Sequence, residues 1–399
     1  MSSRDEKRLS EALRRTEVEG EGEARNRTLA TVRAAQAERE PRRRHPRHWL
    51  AGGLTALAVA AAAIVGLTPA GAEIRQWVED TIDPPPKLDR VPGGGELLVE
   101  SSAGVSLVHP DLSRRFLGDF SDATFSPHGL FLAGAQDRTL AAIEPDGTLR
   151  WSITAEDGRV RFPAWSRKDG YRVAYLSDGS LRVVAGDGTE DREIARAEPV
   201  APQWVGPTDR WIAYVEPAGA IAIADVDGLR PLRARIAVPE DVRGIDVSLD
   251  GKQVLSYSRD QLRLTDQHGS RPRELPASEG SEIEAAIFAA GGESIALLES
   301  RRMADGTLSS TISLVPTTPG ALASKTIFRI SGRLRGLASS PAGDWLVAGW
   351  KDGDQWLFLE PEKDGEVKPV GNISRQLAPG QRDAPFPVPD EWCCPEDGA

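Results

Sequence analysis

The chain has 399 residues, 40% of them hydrophobic, enough for a sizeable core, and a formal net charge of −11. That charge is uneven: residues 1–48 hold 13 Lys/Arg against 9 Asp/Glu, residues 49–72 hold no charge, and the rest carries about −15. So acidic a bulk repels phosphate backbones and argues against nucleic-acid binding, and two adjacent cysteines, Cys393 and Cys394, exclude a disulfide framework.

Residues 1–48 read as a basic tail with two short charged helices, 4–18 and 24–40. Leu9, Leu13 and Val18, then Leu29, Val32 and Ala35, fall at roughly helical spacing. The run Glu19-Gly20-Glu21-Gly22-Glu23 separates them. The apolar stripes are thin, so the tail is either solvated and partly disordered or a docking element for a cytoplasmic protein partner. A short helical pair ahead of one membrane span resembles the layout of transmembrane anti-sigma factors, which implies a regulatory tail. The His/Cys zinc motif common in that family is absent here, since no cysteine lies in this region.

Trp49 to Leu67 is an uncharged run of about the length that crosses a bilayer as a helix. Arg39, Arg42, Arg43, Arg44 and Arg47 precede it, and Glu73, Glu79, Asp80 and Asp83 follow it. The positive-inside rule then expects a single span over 49–68, with the N-terminus cytoplasmic and the bulk extracytoplasmic. A cleaved signal peptide is the rival reading, because Ala70-Gly71-Ala72 fits a cleavage site. The 48 residues ahead of the run are long for a signal peptide. Residues 69–94 are expected to form an amphipathic stalk, with Ile74, Trp77, Val78 and Ile82 on one side, and then a Pro/Gly linker.

From residue 95 the chain repeats with a period of roughly 40 residues. Units run over 122–153, 161–194, 200–232 and 242–275, with looser copies at about 282–330 and 334–373 and a partial copy at 95–118. Short apolar strands are expected at Leu130–Ala135, Arg172–Leu176, Trp211–Val215 and Trp345–Gly349. Partner strands follow at Leu140–Ile143, Leu181–Val184 and Ile221–Ala224. Asp146-Gly147, Asp187-Gly188, Asp227-Gly228 and Asp364-Gly365 recur before the last strand, as hairpin turns require. One such sheet cannot bury both faces alone, and stacking blades around an axis solves that.

Phe125-Ser126-Pro127-His128-Gly129 resembles the F/W-S-P-D-G signature of TolB-type and WD40-like propeller repeats. Trp165 to Gly170 and Ser339 to Asp344 match the same slot, Val247 to Gly251 more weakly and Phe288 to Gly292 more weakly still. The resemblance implies an all-β propeller over 95–394, with 395–399 as a tail. Six full units and the partial one imply seven blades, with residues 384–394 returning to complete the first; six blades is the alternative. Leu140 to Trp151 also resembles the repeat of quinone-cofactor and outer-membrane assembly propellers, and Trp151 is read as blade packing.

No catalytic, cofactor-binding or metal residue emerges. There is no G-x-S-x-G elbow, no H-x-x-x-H pair among His45, His48, His109, His128 and His268, and no phosphate-binding glycine loop. His128 reads as a turn residue, and Asp225-Val226-Asp227-Gly228 as a hairpin rather than a calcium loop. Cys393-Cys394 reads as two small apolar residues on a closing strand behind Trp392, or as a redox, metal or intermolecular-bridge element. The expected function is a membrane-tethered, non-enzymatic binding or scaffold module for a protein or small ligand, with the tail as a signalling route. The alternatives are a propeller enzyme (hydrolase or lyase) working at the channel mouth and an anti-sigma-like regulator. Carboxylates or histidines converging from several blades would favour the enzyme.

Overall fold

The computed structural model describes residues 90–394 except 157, 168–170, 319–323, 362–365 and 378–384. The tail, the span and most of the stalk lie outside the described residues. Among the described residues no helix is long and apolar enough to cross a membrane.

Seven four-stranded antiparallel sheets follow one another along the chain. Blade 2 is β4 (Asp122–Phe125), β5 (Leu132–Gln136), β6 (Thr139–Ile143) and β7 (Leu149–Thr154). Blade 3 is β8 (Val160–Trp165), β9 (Arg172–Ser177), β10 (Ser180–Ala185) and β11 (Arg192–Arg196). Blade 4 is β12 (Gln203–Trp204), β13 (Trp211–Glu216), β14 (Ala220–Asp225) and β15 (Ala234–Ala237). Blade 5 is β16 (Gly244–Val247), β17 (Gln253–Tyr257), β18 (Gln261–Asp266) and β19 (Arg273–Pro276). Blade 6 is β20 (Ser281–Ala289), β21 (Ser294–Arg302), β22 (Leu308–Pro316) and β23 (Lys325–Ser331). Blade 7 is β24 (Leu334–Ser339), β25 (Leu346–Trp350), β26 (Gln355–Glu360) and β27 (Glu366–Gly371), followed by the short helix α1 (Ile373–Leu377).

Blade 1 is assembled from both ends of the domain. Its outer strands are β1 (Glu96–Ser101), β2 (Gly104–Val108) and β3 (Arg114–Gly118). Its inner strand is β28 (Val388–Cys393), the last strand of the chain, which pairs antiparallel with β1 from Glu96↔Cys393 to Glu100↔Val388. The expected return of the C-terminus is therefore what closes the ring, and the blade number is seven.

The core explains why the blades cannot stand alone. Among the described residues the buried apolar side chains fall into seven clusters, one at each blade junction. Between blades 2 and 3, Leu140 and Ala142 meet Trp165 and Tyr175. Between blades 7 and 1, Trp345 and Phe358 meet Leu97 and Trp392. Burying one large side chain is worth ~1.5–3 kcal/mol, so each junction outweighs any single hydrogen bond across it. First strands of successive blades touch one another right around the axis, so β4, β8, β12, β16, β20, β24 and β28 wall the central channel.

Turn chemistry follows the sequence. Gly147, Gly188 and Gly228 occupy left-handed backbone in the hairpin turns before the last strands, as their Asp-Gly pairs require. In the first turn of blades 2, 3, 5 and 7 a buried serine (Ser126, Ser166, Ser248, Ser340) accepts from the N–H that opens the next strand region, at 3.0–3.1 Å. That is the physical content of the Ser-Pro-x-Gly signature.

Candidate functional site at the channel

Antiparallel alternation assigns every turn to one of two faces. The turns between a blade's first and second strands, and between its third and fourth, share one face. Gly95, where the chain joins β1, lies on that face, which is called the attachment face below. The remaining turns form the opposite face.

Near the opposite face, three carboxylates from two blades and three strands converge. Glu100 ends β1, Asp122 begins β4 and Asp390 lies in β28; one oxygen of each lies within 4.8 Å of the others. The pairing explains Asp390. Leu98 faces Glu391 and Val99 faces Pro389, so Asp390 is the extra residue of a bulge, which frees it from the ladder and turns it into the channel. Its side chain is open to channel solvent although protein surrounds it.

The cluster is electrostatically frustrated. Burial, then the charges of Asp390 and Asp122, push the Glu100 carboxyl well above the ordinary range. Burial and the charge of Asp390 raise Asp122 to about 7, even though its carboxylate accepts the Phe162 N–H at 2.5 Å. Burial also raises Asp390. Such a group can share a proton or accept a positively charged ligand; its three oxygens would supply part of the shell of a hard divalent cation.

Deeper in the channel the same side-chain type is structural. Glu391 accepts the Phe125 N–H at 3.0 Å, and Asp246 accepts the Phe288 N–H at 2.9 Å. With Asp122, these carboxylates each take a backbone donor from the next blade's first strand, stitching three of the seven junctions. Burial raises Glu391 to about 7. Near the attachment face the half-buried Arg167 reaches from blade 3 to blade 5. Its Nη1 donates to the carbonyls of Val247 at 2.7 Å and Ser248 at 3.2 Å, and its Nη2 lies 3.7 Å from Asp246. The channel thus has an acidic mouth and an arginine cross-brace at its far end.

His128 is an exposed turn residue. His109 contacts Glu96 at 2.6 Å. Asp225 accepts the Asp227 N–H and pairs with Arg210 at 2.7 Å, an ordinary hairpin. Trp151 packs at the blade 2–3 junction and donates to the Gly186 carbonyl. His45 and His48 lie outside the described residues. Cys393 and Cys394 are joined by a disulfide at the seam of the ring. Cys393 Sγ lies 3.9 Å from the Ser126 carbonyl oxygen of blade 2. The carboxylate cluster was missed in the sequence; the one available signal was Asp390-Glu391, two acids inside an otherwise apolar closing strand.

Comparison with known proteins supports the fold alone. No family model and no curated protein matches the sequence. Among solved structures, the β-propeller domain of Myceliophteria thermophila Cps50 (Swd1) is similar with a TM-score of 0.52 at 14% identity, over 69% of this chain and 90% of that one. Kluyveromyces lactis Hsv2 gives 0.53 at 10% identity, over 70% and 96%. Kluyvelomyces marxianus Hsv2 gives 0.50 at 10% identity, over 68% and 92%. At these identities the likeness shows the fold alone, an all-β propeller.

Proposed function

We propose that this protein is a membrane-tethered, extracytoplasmic binding module whose propeller captures a ligand or partner protein at its acidic channel mouth. The carrying observation is the convergence of Glu100, Asp122 and Asp390 on the face opposite the point where the chain joins the propeller. A tether over 49–68 leaves that mouth free, and its charge favours a ligand bearing a cationic group. The N-terminal tail is the route by which occupancy reaches a cytoplasmic partner. Crosslinking and co-purification from membranes, with wild type beside Asp122→Asn/Asp390→Asn, tests the site: a partner retained equally by both refutes it. Deleting residues 1–40 tests the tail: full complementation of a null strain refutes signalling, including an anti-sigma-like role.

The same convergence suits a second reading, a propeller hydrolase or lyase using paired carboxylates at the mouth. Turnover by purified protein that Asp122→Asn abolishes would replace the binding reading.

A further inference from the structure

The two faces of the propeller differ in what they show to solvent. Among the described residues eight large hydrophobic side chains are exposed. Six of them, Leu130, Leu149, Tyr171, Leu229, Leu232 and Leu249, lie on turns or a strand end of the attachment face. The opposite face has Met303, and Phe116 sits in the outer strand β3. Leu130, Tyr171 and Leu249 occupy equivalent first turns in blades 2, 3 and 5, where the repeat otherwise uses Ser, Pro, Gly and Asp. Leu229, 78% exposed, and Leu232 project from the third turn of blade 4. The arc spans four adjacent blades, 2 to 5, along a single face.

The chain supplies a surface for it. Gly95 lies on this same face, and the apolar run ends at Leu67, with only 22 residues, 68–89, between it and the first described residue, Arg90. So short a connection keeps the propeller near the surface it is anchored in, so even weak interfacial affinity suffices. The charge of the face narrows the surface. Its turns carry more acidic groups (Asp111, Asp146, Asp187 and Glu190 among them) than basic ones such as Arg230 and Arg271.

We infer that the attachment face docks on the lipid surface of the bilayer that anchors the chain, with a preference for zwitterionic over anionic headgroups. This rests on the span reading of residues 49–68. Docking turns the acidic mouth away from the membrane. The exposed Leu and Tyr side chains enter the headgroup boundary as interfacial anchors.

The test uses the full chain in phosphatidylcholine vesicles. A fluorescent non-canonical residue is placed at 229 or at 303, both exposed, which leaves the Cys393–Cys394 disulfide intact. Brominated lipids should quench position 229 strongly and position 303 not at all, and added phosphatidylglycerol should lower the quenching at 229. Equal quenching at both positions, or none at either, overturns docking; quenching that rises with phosphatidylglycerol overturns the headgroup preference. Carbonate extraction of the same vesicles separates the two readings. Retention without quenching at 229 refutes docking alone, whereas release refutes the anchor and docking with it.

Discussion

Asp390→Asn should stabilise the propeller at alkaline pH and do nothing at acid pH. Asp390 faces Glu100 and Asp122 with carboxylate oxygens within 4.8 Å. Two like charges at that separation repel by ~0.9 kcal/mol in bulk water and ~3.5 kcal/mol at an effective dielectric of about 20. Asp390 is open to channel solvent, so the lower part of that range applies; Glu100, pushed up to about 9, is still largely protonated at pH 8, so the Asp122 pair alone counts and gives ~1–2 kcal/mol. The sign follows from linkage. Carboxylates raised in the folded state bind more protons there than in the unfolded chain, so their full stabilising contribution holds below the unfolded value near 4. It is lost as pH rises through the folded values, about 6 for Asp390, about 7 for Asp122 and about 9 for Glu100. The wild type should therefore lose stability from roughly pH 4 up to about 9, where Glu100 ionises, and Asp390→Asn should flatten that fall. A gain of about 2–4 °C in Tm at pH 8, shrinking to nothing by pH 5, is expected from calorimetry across a pH series. An equal gain at both pH values would refute the electrostatic account, and a loss at pH 8 would show that Asp390 holds a needed partner.

Two further substitutions probe the ring. Arg167→Met removes the donors to Val247 and Ser248 and takes from the half-buried Asp246 its neighbouring cation; a loss of ~1–3 kcal/mol is expected in urea titrations, part of it recovered by adding Asp246→Asn. Gly129→Ala places a β-carbon 2.7 Å from Cys394 Sγ at a residue with φ of +65°; it should cost ~1–2 kcal/mol by calorimetry. Adding Cys394→Ala should return part of that loss, and no recovery would mean that backbone strain alone sets it.

The repeat was legible because its strands and turns are local. Residues 122–153 were read as one unit, and β4 to β7 occupy 122–154. Even the closing strand could be placed, since the first unit lacked a leading strand and one apolar segment remained. The mouth was not legible. It depends on ring closure, which brings Glu391 to Phe125 across 266 positions, and on a bulge that frees Asp390 from the ladder. Neither distance nor bulge has a local pattern. The arginine cross-brace was hidden for the same reason, because Arg167 meets carbonyls 80 positions away.

The closure by β28 also sets a clock. The first blade in space is the last in time: β1, β2 and β3 are synthesised early but wait for residues 388–393 before their sheet is complete. Until then the apolar groups of the seam, Leu97, Val99, Trp345 and Phe358, lack Trp392 as a cover. Ring closure therefore waits for β28, whichever other blades have already formed. A product that stops short of Val388 leaves an open ring with exposed strand edges, the form that chaperones and proteases recognise, while a complete chain hides them in a single late step.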